Sequence, residues 1–325
     1  MSGISLAERE PISSPATLGG PAREQAPPLV AWLWAAAFAA LAVTAFFHAA
    51  GHVEIPQPQA FLEFNHRRVS EFAEPHDPEE LRVVMLGNSR LKYGTLTEDQ
   101  LAGRAVDSGY GRMRFLRLVN NWAVFEDFAS LGDAVLAARP HVLVIQLELL
   151  AQERAQDARA LLLREYGQWR MFGRGPWNPG DVDQAELQYG TPCADGQSAE
   201  ALDERKRRVR RWLRFQPDGP SSRLARAFVA RAAAEGTAVV LLAIPRTSTM
   251  EVAMQPTSDE MLAAARRVIS QHPEIDLLKP GGPPDQLYCD LVHMAEPARQ
   301  TFSAWLVGAL ATLSGGSRRG SPAPT

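Results

Sequence analysis

The stretch that decides the fold is Leu81–Tyr93, LRVVMLGNSRLKY. Val83 to Leu86 is a continuous apolar run that stops at Gly87, the pattern of a strand buried on both faces and ended by a turn. The turn carries Gly87, Asn88 and Ser89, and a helix-compatible segment follows from Thr95. A serine just past the carboxyl end of a strand stands where open α/β sheets gather their ligands. Gly-Asn-Ser is also an ordinary turn composition. The stretch alone therefore leaves a nucleophile and a plain turn both open.

Downstream, apolar runs alternate with helical periodicity. Arg104–Ser108 is expected as a second strand and Phe115–Ala138 as a helix, with Leu116, Val119, Val124, Phe128, Leu131 and Val135 at its apolar positions. His141–Leu147 (HVLVIQL) reads as a third strand, Ser221–Glu235 as a helix and Thr237–Ile244 (TAVVLLAI) as a fourth strand. Thr257–Gln271 is expected as a helix capped by Thr257 or Ser258, Ile275–Leu278 as a short fifth strand, and Ala295–Leu313 as a final amphipathic helix. Strands alternating with helices imply right-handed β-α-β units, an α/β fold around a parallel sheet covered on both faces.

Between Leu149 and Pro220 this rhythm breaks. Ala151–Trp169 is compatible with a helix, FGRGPWNPGD is a loop rich in Gly, Pro and Trp, and Leu202–Phe215 (LDERKRRVRRWLRF) is a basic amphipathic helix. Its charges suit a solvated face with Val209, Trp212 and Leu213 packed inward, or contact with an anionic surface. Residues 150–220 are expected as an insertion or lid, the natural place for substrate selectivity.

Upstream, residues 1–28 are rich in Pro, Gly, Ser, Ala and Glu without hydrophobic period, a disordered tail. Leu29–Phe47, LVAWLWAAAFAALAVTAFF, has no charged residue over 19 positions. That length suits a membrane-spanning helix, with Trp32 and Trp34 near one interface and His48 and His52 near the other. A buried core helix and a cleaved signal peptide are the alternatives. The amino side is not basic and HAAG lacks a clean small-x-small cleavage site, so an uncleaved anchor over 29–48 is preferred. Residues 49–80 then read as a connector, and 314–325 as a second disordered tail. Flanking Lys and Arg are too evenly spread to set an orientation.

The formal net charge of −3 supplies no basic excess for phosphates, so no nucleic-acid partner is expected. The two cysteines, Cys193 and Cys289, lack zinc-site spacing, and no metal or cofactor is expected. They could join the lid to the segment around Cys289 by a disulfide in an oxidising compartment, or be two unrelated buried thiols. Of seven histidines, His293 has the most informative context, Tyr288-Cys289-Asp290-Leu291-Val292-His293 before the last helix. Asp and His three apart on such a turn can face the same way. The carboxylate then accepts from Nδ1–H and leaves Nε2 to take a proton from a serine. A helix-capping Asp290 with a surface His293 is the alternative.

GNSR after the first strand and DLVH before the last helix together resemble the SGNH/GDSL hydrolase superfamily, over about Leu81–Leu313. The resemblance implies a three-layer α/β/α sandwich of flavodoxin-like type, with the membrane helix preceding it. It implies Ser89 as nucleophile, His293 as base and Asp290 as its partner, in two-step acyl transfer to water or to a hydroxyl. Three departures stand out. Asn88 replaces the family's Asp. The glycine that helps form the oxyanion hole is expected in Ser108–Gly111, as Gly111 or else Gly109, acting with the Ser89 N–H. The Gly-x-Asn-Asp block is absent, leaving Gln146 or Glu148 in that general position, with Asn120 or Asn121 as other donors. Arg90, Arg246 and Gln146 are candidate substrate-binding residues, although both arginines could equally serve in salt bridges.

Anchored proteins resembling this family often modify envelope or secreted polysaccharides at acetyl esters. The expected function is thus a membrane-anchored serine acyl esterase or O-acyltransferase, with its C-terminal domain in the periplasm or outside the cell. The expected partners are the lipid bilayer, a glycan or other acyl-ester substrate, and a membrane acyl donor. A non-catalytic, membrane-tethered glycan-binding or scaffold module is the competing reading.

Overall fold

The computed structural model describes residues 28–52, 59–75, 77–155 and 202–318. The chain divides into two units, residues 1–52 and 53–325. In the first, helix α1 covers Leu29–His52, and every side chain described on it, from Pro28 to Val43, is exposed. Among the described residues no helix is long and apolar enough to cross a membrane.

The second unit begins with α2 (Gln59–Ala73), inside the segment expected as a connector. Its residues Phe61, Asn65, Arg68, Val69 and Phe72 are buried and recur at helical spacing on one face, so this helix is part of the core. Strand β1 (Leu81–Gly87) follows, buried along its whole length as its apolar run predicts. Next come α3 (Ser89–Gly94) and α4 (Glu98–Asp107). The second strand expected at Arg104–Ser108 is thus the end of a helix. Thr97 and Gln100 form a capping box at its start, and Leu101 and Ala105, one turn apart, are its buried face.

The true second strand, β2, is Met113–Val119, the first part of the helix expected over Phe115–Ala138. The rest of that expected helix is a turn, a 3-10 segment Phe125–Leu131 and the short α5 (Gly132–Ala137). A strand buried on both faces carries no period-2 alternation, so its apolar residues fell by chance on helical spacing. Strand β3 (Val142–Gln146) leads through a 3-10 turn to β4 (Gln152–Arg154) rather than to a helix at Ala151. The remainder of the helix expected to Trp169, and the loop after it, lie outside the described residues.

Helix α6 (Leu202–Trp212) runs into β5 (Leu213–Phe215), which pairs antiparallel with β4. Then come α7 (Pro220–Ala234), β6 (Ala238–Leu242), α8 (Ser248–Gln271), β7 (Asp276–Leu278) and α9 (Glu296–Arg318). Helix α8 starts well before the expected Thr257, because Thr247 caps it by accepting from the Met250 N–H at 3.3 Å.

The five-stranded sheet has the order β2-β1-β3-β6-β7, all neighbours parallel. This is the flavodoxin-like doubly wound order, with its switch point between β1 and β3. Alternate strand residues enter two separate cores. Val84, Leu86, Leu143, Ile145 and Leu241 pack with α2, α7 and α8. Val83, Met85, Val144, Val240 and Leu242 pack with α4 and α9. Three layers result. The outer edge of β2 is covered at its middle: the Arg117 N–H donates to Glu98 Oε1 at 3.0 Å, and Arg68 Nη1 donates to the Arg117 carbonyl at 2.8 Å.

Candidate active site

The site is built at the carboxyl ends of β1 and β3, beside the switch point. Gly87 is required there by contact: a Cβ would lie 2.6 Å from both Gln146 Oε1 and Leu91 Cβ. Asn88 caps α3, its Oδ1 accepting from the Arg90 N–H at 2.9 Å. Gln146 completes the turn from β3, accepting from the Asn88 N–H at 2.8 Å and donating to Asn88 Oδ1 at 2.9 Å. Gln146 Nε2 also donates to Glu148 Oε2 at 3.0 Å. Asn88 therefore holds the turn without setting a second carboxylate beside buried Glu148, a physical reason for the departure from Asp.

Glu148 is 3% exposed and receives two arginines. Arg90 pairs with its Oε1, and Arg246 Nη2 donates to the same oxygen at 2.8 Å. Arg246 also lies 3.4 Å from Glu251 Oε2. Burial lowers the pKa of both guanidiniums, and Arg246 adds to the effect on Arg90. Arg90, Arg246 and Gln146, expected to touch substrate, are thus 7%, 8% and 0% exposed and turned inward. They tie the ends of β1, β3 and β6 together beneath the serine.

Asp290 and His293 reach this edge from the far end of the chain. Asp290 Oδ1 accepts from the backbone N–H groups of Val292 (2.8 Å) and His293 (2.7 Å), fixing the carboxylate in its own turn. Its Oδ2 lies 2.7 Å from His293 Nδ1, and His293 Nε2 lies 2.9 Å from Ser89 Oγ. With the carboxylate ionised, Nδ1 carries the proton and Nε2 faces the serine as acceptor. Burial raises the Asp290 pKa, but the His293 hydrogen bond and charge, then Arg205 and the Val292 N–H, outweigh it and hold the carboxyl well below the usual carboxylate range. Burial lowers the His293 pKa, with Asp290 opposing and Arg205 and Arg90 reinforcing. The edge of the Tyr93 ring stands against the imidazole, centroids 4.9 Å apart.

Gly109 and Gly111 are not at this site. They have positive φ (75° and 83°) in the turn from α4 into β2. Leu81 pairs with Met113 in the parallel ladder, so that turn lies at the amino end of the sheet, roughly 20 Å from the serine at 3.3 Å per strand residue. They cannot serve an oxyanion at Ser89. The residues that end β2 beside the nucleophile are Asn120–Ala123: the Asn120 N–H donates to the Gly87 carbonyl at 3.2 Å, and the Ala123 N–H to the Asn120 carbonyl at 3.3 Å. Trp122 in this turn has φ 57°, a left-handed conformation uncommon for a bulky residue. Ser89, first residue of α3, has a backbone N–H with no intrahelical acceptor.

Sequence reasoning missed Arg205. It lies 5% exposed on α6, with Nη1 3.5 Å from Asp290 Oδ2 and its guanidinium carbon 5.6 Å from the centroid of the Trp122 ring. The signal was present: Arg205 sits three residues after Leu202 and four before Val209, on the apolar stripe of that helix. Cys289 is engaged in a disulfide. Cys193, the other cysteine of the chain, lies outside the described residues.

No family model matches the chain, and no curated protein matches it. Solved structures do. An acetylxylan esterase from Geobacillus stearothermophilus, in a catalytic-mutant form, matches at 11% identity and TM-score 0.40, over 72% of this chain and 94% of the other. A lipase/acylhydrolase from Enterococcus faecalis matches at 12% identity and TM-score 0.39, over 71% and 95%. A GDSL-like lipase from Bacteroides thetaiotaomicron matches at 12% identity and TM-score 0.35, over 76% and 97%. Gly87-Asn88-Ser89 after the first strand, Asp290-Leu291-Val292-His293 before the last helix and a 2-1-3 switch point between them resemble the arrangement of the SGNH/GDSL hydrolase superfamily, without its Gly-x-Asn-Asp block.

Proposed function

We propose that the chain is a serine acyl esterase of SGNH type, anchored to a membrane by α1 and acting on acetyl esters of an envelope or secreted glycan. The observation that carries the chemistry is the continuous relay Ser89 Oγ–His293 Nε2 at 2.9 Å and His293 Nδ1–Asp290 Oδ2 at 2.7 Å. Ser89 attacks the ester carbonyl as His293 takes its proton, and Asp290 stabilises the imidazolium. The same imidazolium protonates the departing alkoxide. Water, deprotonated by His293, then releases the acid and restores Ser89. A sugar hydroxyl in place of water makes the second step a transfer. The Ser89 N–H and the Asn120–Ala123 turn, which follow β1 and β2 at the same sheet edge, are the candidate oxyanion donors.

Anchoring is supported by the uncharged run Leu29–Phe47, whose described side chains, to Val43, all lack cover although that part alone is too short to cross a membrane, and a non-cytoplasmic placement by the disulfide at Cys289. Tyr93 beside His293 and Trp122 beside Arg205 are half-buried aromatic residues, a type that stacks on sugar rings. The binding-only reading draws on one observation: Gln146 and Glu148, at the place of the missing Gly-x-Asn-Asp block, are spent inward and supply no oxyanion donor.

Hydrolysis of a short-chain aryl ester by the full chain tests the chemistry. Wild type should turn over and should take a fluorophosphonate label. Ser89→Ala should abolish both, and His293→Ala should reduce hydrolysis about 10³-fold or more. Equal labelling of wild type and Ser89→Ala overturns the nucleophile assignment. Alkaline carbonate extraction tests the anchor, which fails if the chain leaves the membrane fraction.

A further inference from the structure

The Asp290 carboxylate has a fourth contact that the relay does not need. Its Oδ1 is filled by two backbone N–H groups and its Oδ2 by His293, yet Arg205 brings a buried guanidinium to 3.5 Å from the same Oδ2. Arg205 is far from both motif blocks in sequence. It is supplied by α6, and its guanidinium also lies over the ring of Trp122. Trp122 in turn holds the left-handed conformation that ends β2. A backbone conformation of that kind is unfavourable for a side chain with a Cβ and persists where surrounding contacts enforce it. One cation thus links three pieces of chain around the carboxylate: the Asp290 turn, the β2 turn and α6.

We propose that Arg205 is a positioning residue for the Asp290–His293 pair, holding the carboxylate in the rotamer that receives Nδ1–H and setting how strongly His293 acts as a base. The inference rests on the esterase reading for its catalytic meaning, but not for its geometry. Two opposed effects meet at the imidazole. Asp290 strengthens the base. Arg205 shares the charge of Asp290 and also repels a proton on the ring, so it weakens the base. Among the described residues, the groups facing His293 are Asp290 from its own turn, Ser89, Arg90 and Tyr93 from α3, and Arg205 from α6. Arg90 is paired with Glu148. Arg205 is therefore the cation whose removal most directly changes the balance, because the carboxylate it touches is the one His293 uses. A weaker base is still competent: a histidine that stays neutral to lower pH remains available as proton acceptor over a wider range.

The test reads the imidazole directly. His293 is titrated by NMR in the full chain, assigned by loss of its signals in His293→Asn, in wild type and in Arg205→Gln. The expected result is that Arg205→Gln titrates at higher pH than wild type, with Arg205→Lys returning towards the wild-type midpoint. In aryl-ester hydrolysis the acid limb of kcat/KM should move to higher pH in parallel, and kcat should fall about tenfold or more as the carboxylate loses one restraint. If Arg205→Gln does not fold, Arg205→Met, which keeps the apolar stem against Trp122, serves the same comparison. A wild-type midpoint in the folded charge-removing variant overturns the inference whether or not the protein hydrolyses esters. A shifted midpoint in a chain without turnover overturns the esterase reading and leaves the role of Arg205 standing.

Discussion

Ser89 can act only while the turn beneath it is held by Gln146, and the residue that braces both Gln146 and Arg90 is Glu148. It binds Arg90, Arg246 and Gln146, which reach it from α3, the end of β6 and the end of β3. Glu148→Gln should therefore be costly, because it leaves two buried guanidiniums without their shared counter-charge. Removing one partner of a buried ion pair destabilises by about 3–5 kcal/mol. Urea unfolding should show a loss of that order, and the folded fraction should show a lower kcat with KM little changed. Unaltered stability would mean that Arg246 finds enough charge in Glu251 alone. Ser89, Asp290 and His293 were legible in the sequence because two short blocks mark them. Glu148 was marked only by its place after the third strand, and Arg205 only by its place on the apolar stripe of α6; neither position names its partners, which lie tens of residues away in sequence.

Among the elements, β1 and the strands at His141–Leu147 and Thr237–Ile244 could be read because a central parallel strand is an unbroken apolar run. Strand β2 could not. It is an edge strand carrying Arg114 and Arg117, and its apolar residues also fit a helix. Reading it as a helix moved the second strand to α4 and carried the oxyanion glycine to the wrong end of the sheet. The consequence can be measured. Gly111→Ala forces an alanine into φ +83° and should cost about 1–2 kcal/mol of stability, with kcat unchanged. A large fall in kcat in the folded variant would return Gly111 to the site. Helix α6 forms within the segment expected as a basic amphipathic helix, but one of its cations, Arg205, is buried against the Asp290 turn instead of being solvated.

For the molecule as a whole, the site makes acid the vulnerable direction. Asp290 has a lowered pKa in the fold, so its contribution is present above the carboxylate range and lost as pH falls through it. His293 also has a lowered pKa, for burial keeps it neutral; protonation favours the unfolded chain once pH drops below the ordinary imidazole value of about 6.5. Both slopes have the same sign. Denaturation midpoints measured from pH 8 downwards should start to fall near the imidazole range and continue falling into the carboxylate range, and His293→Gln should remove the first part of the decline. Asp127 and Asp276, whose pKa values burial raises, oppose the decline in the carboxylate range, so the loss of the imidazole-range slope in His293→Gln is what tests the burial of the pair.

The covered edge of β2 has a meaning for how copies of this chain meet. A bare outer strand is a template on which a second chain can lay its own backbone. Here the Arg117 N–H and carbonyl are occupied by Glu98 and Arg68, two side chains from helices that flank the strand. A neighbour approaching in register meets a closed pair of charged groups where it needs a free amide and a free oxygen. If α1 gathers many copies into one membrane plane, crowding presents such edges to one another continuously, and a side-chain guard of this kind lets the domains collide and part.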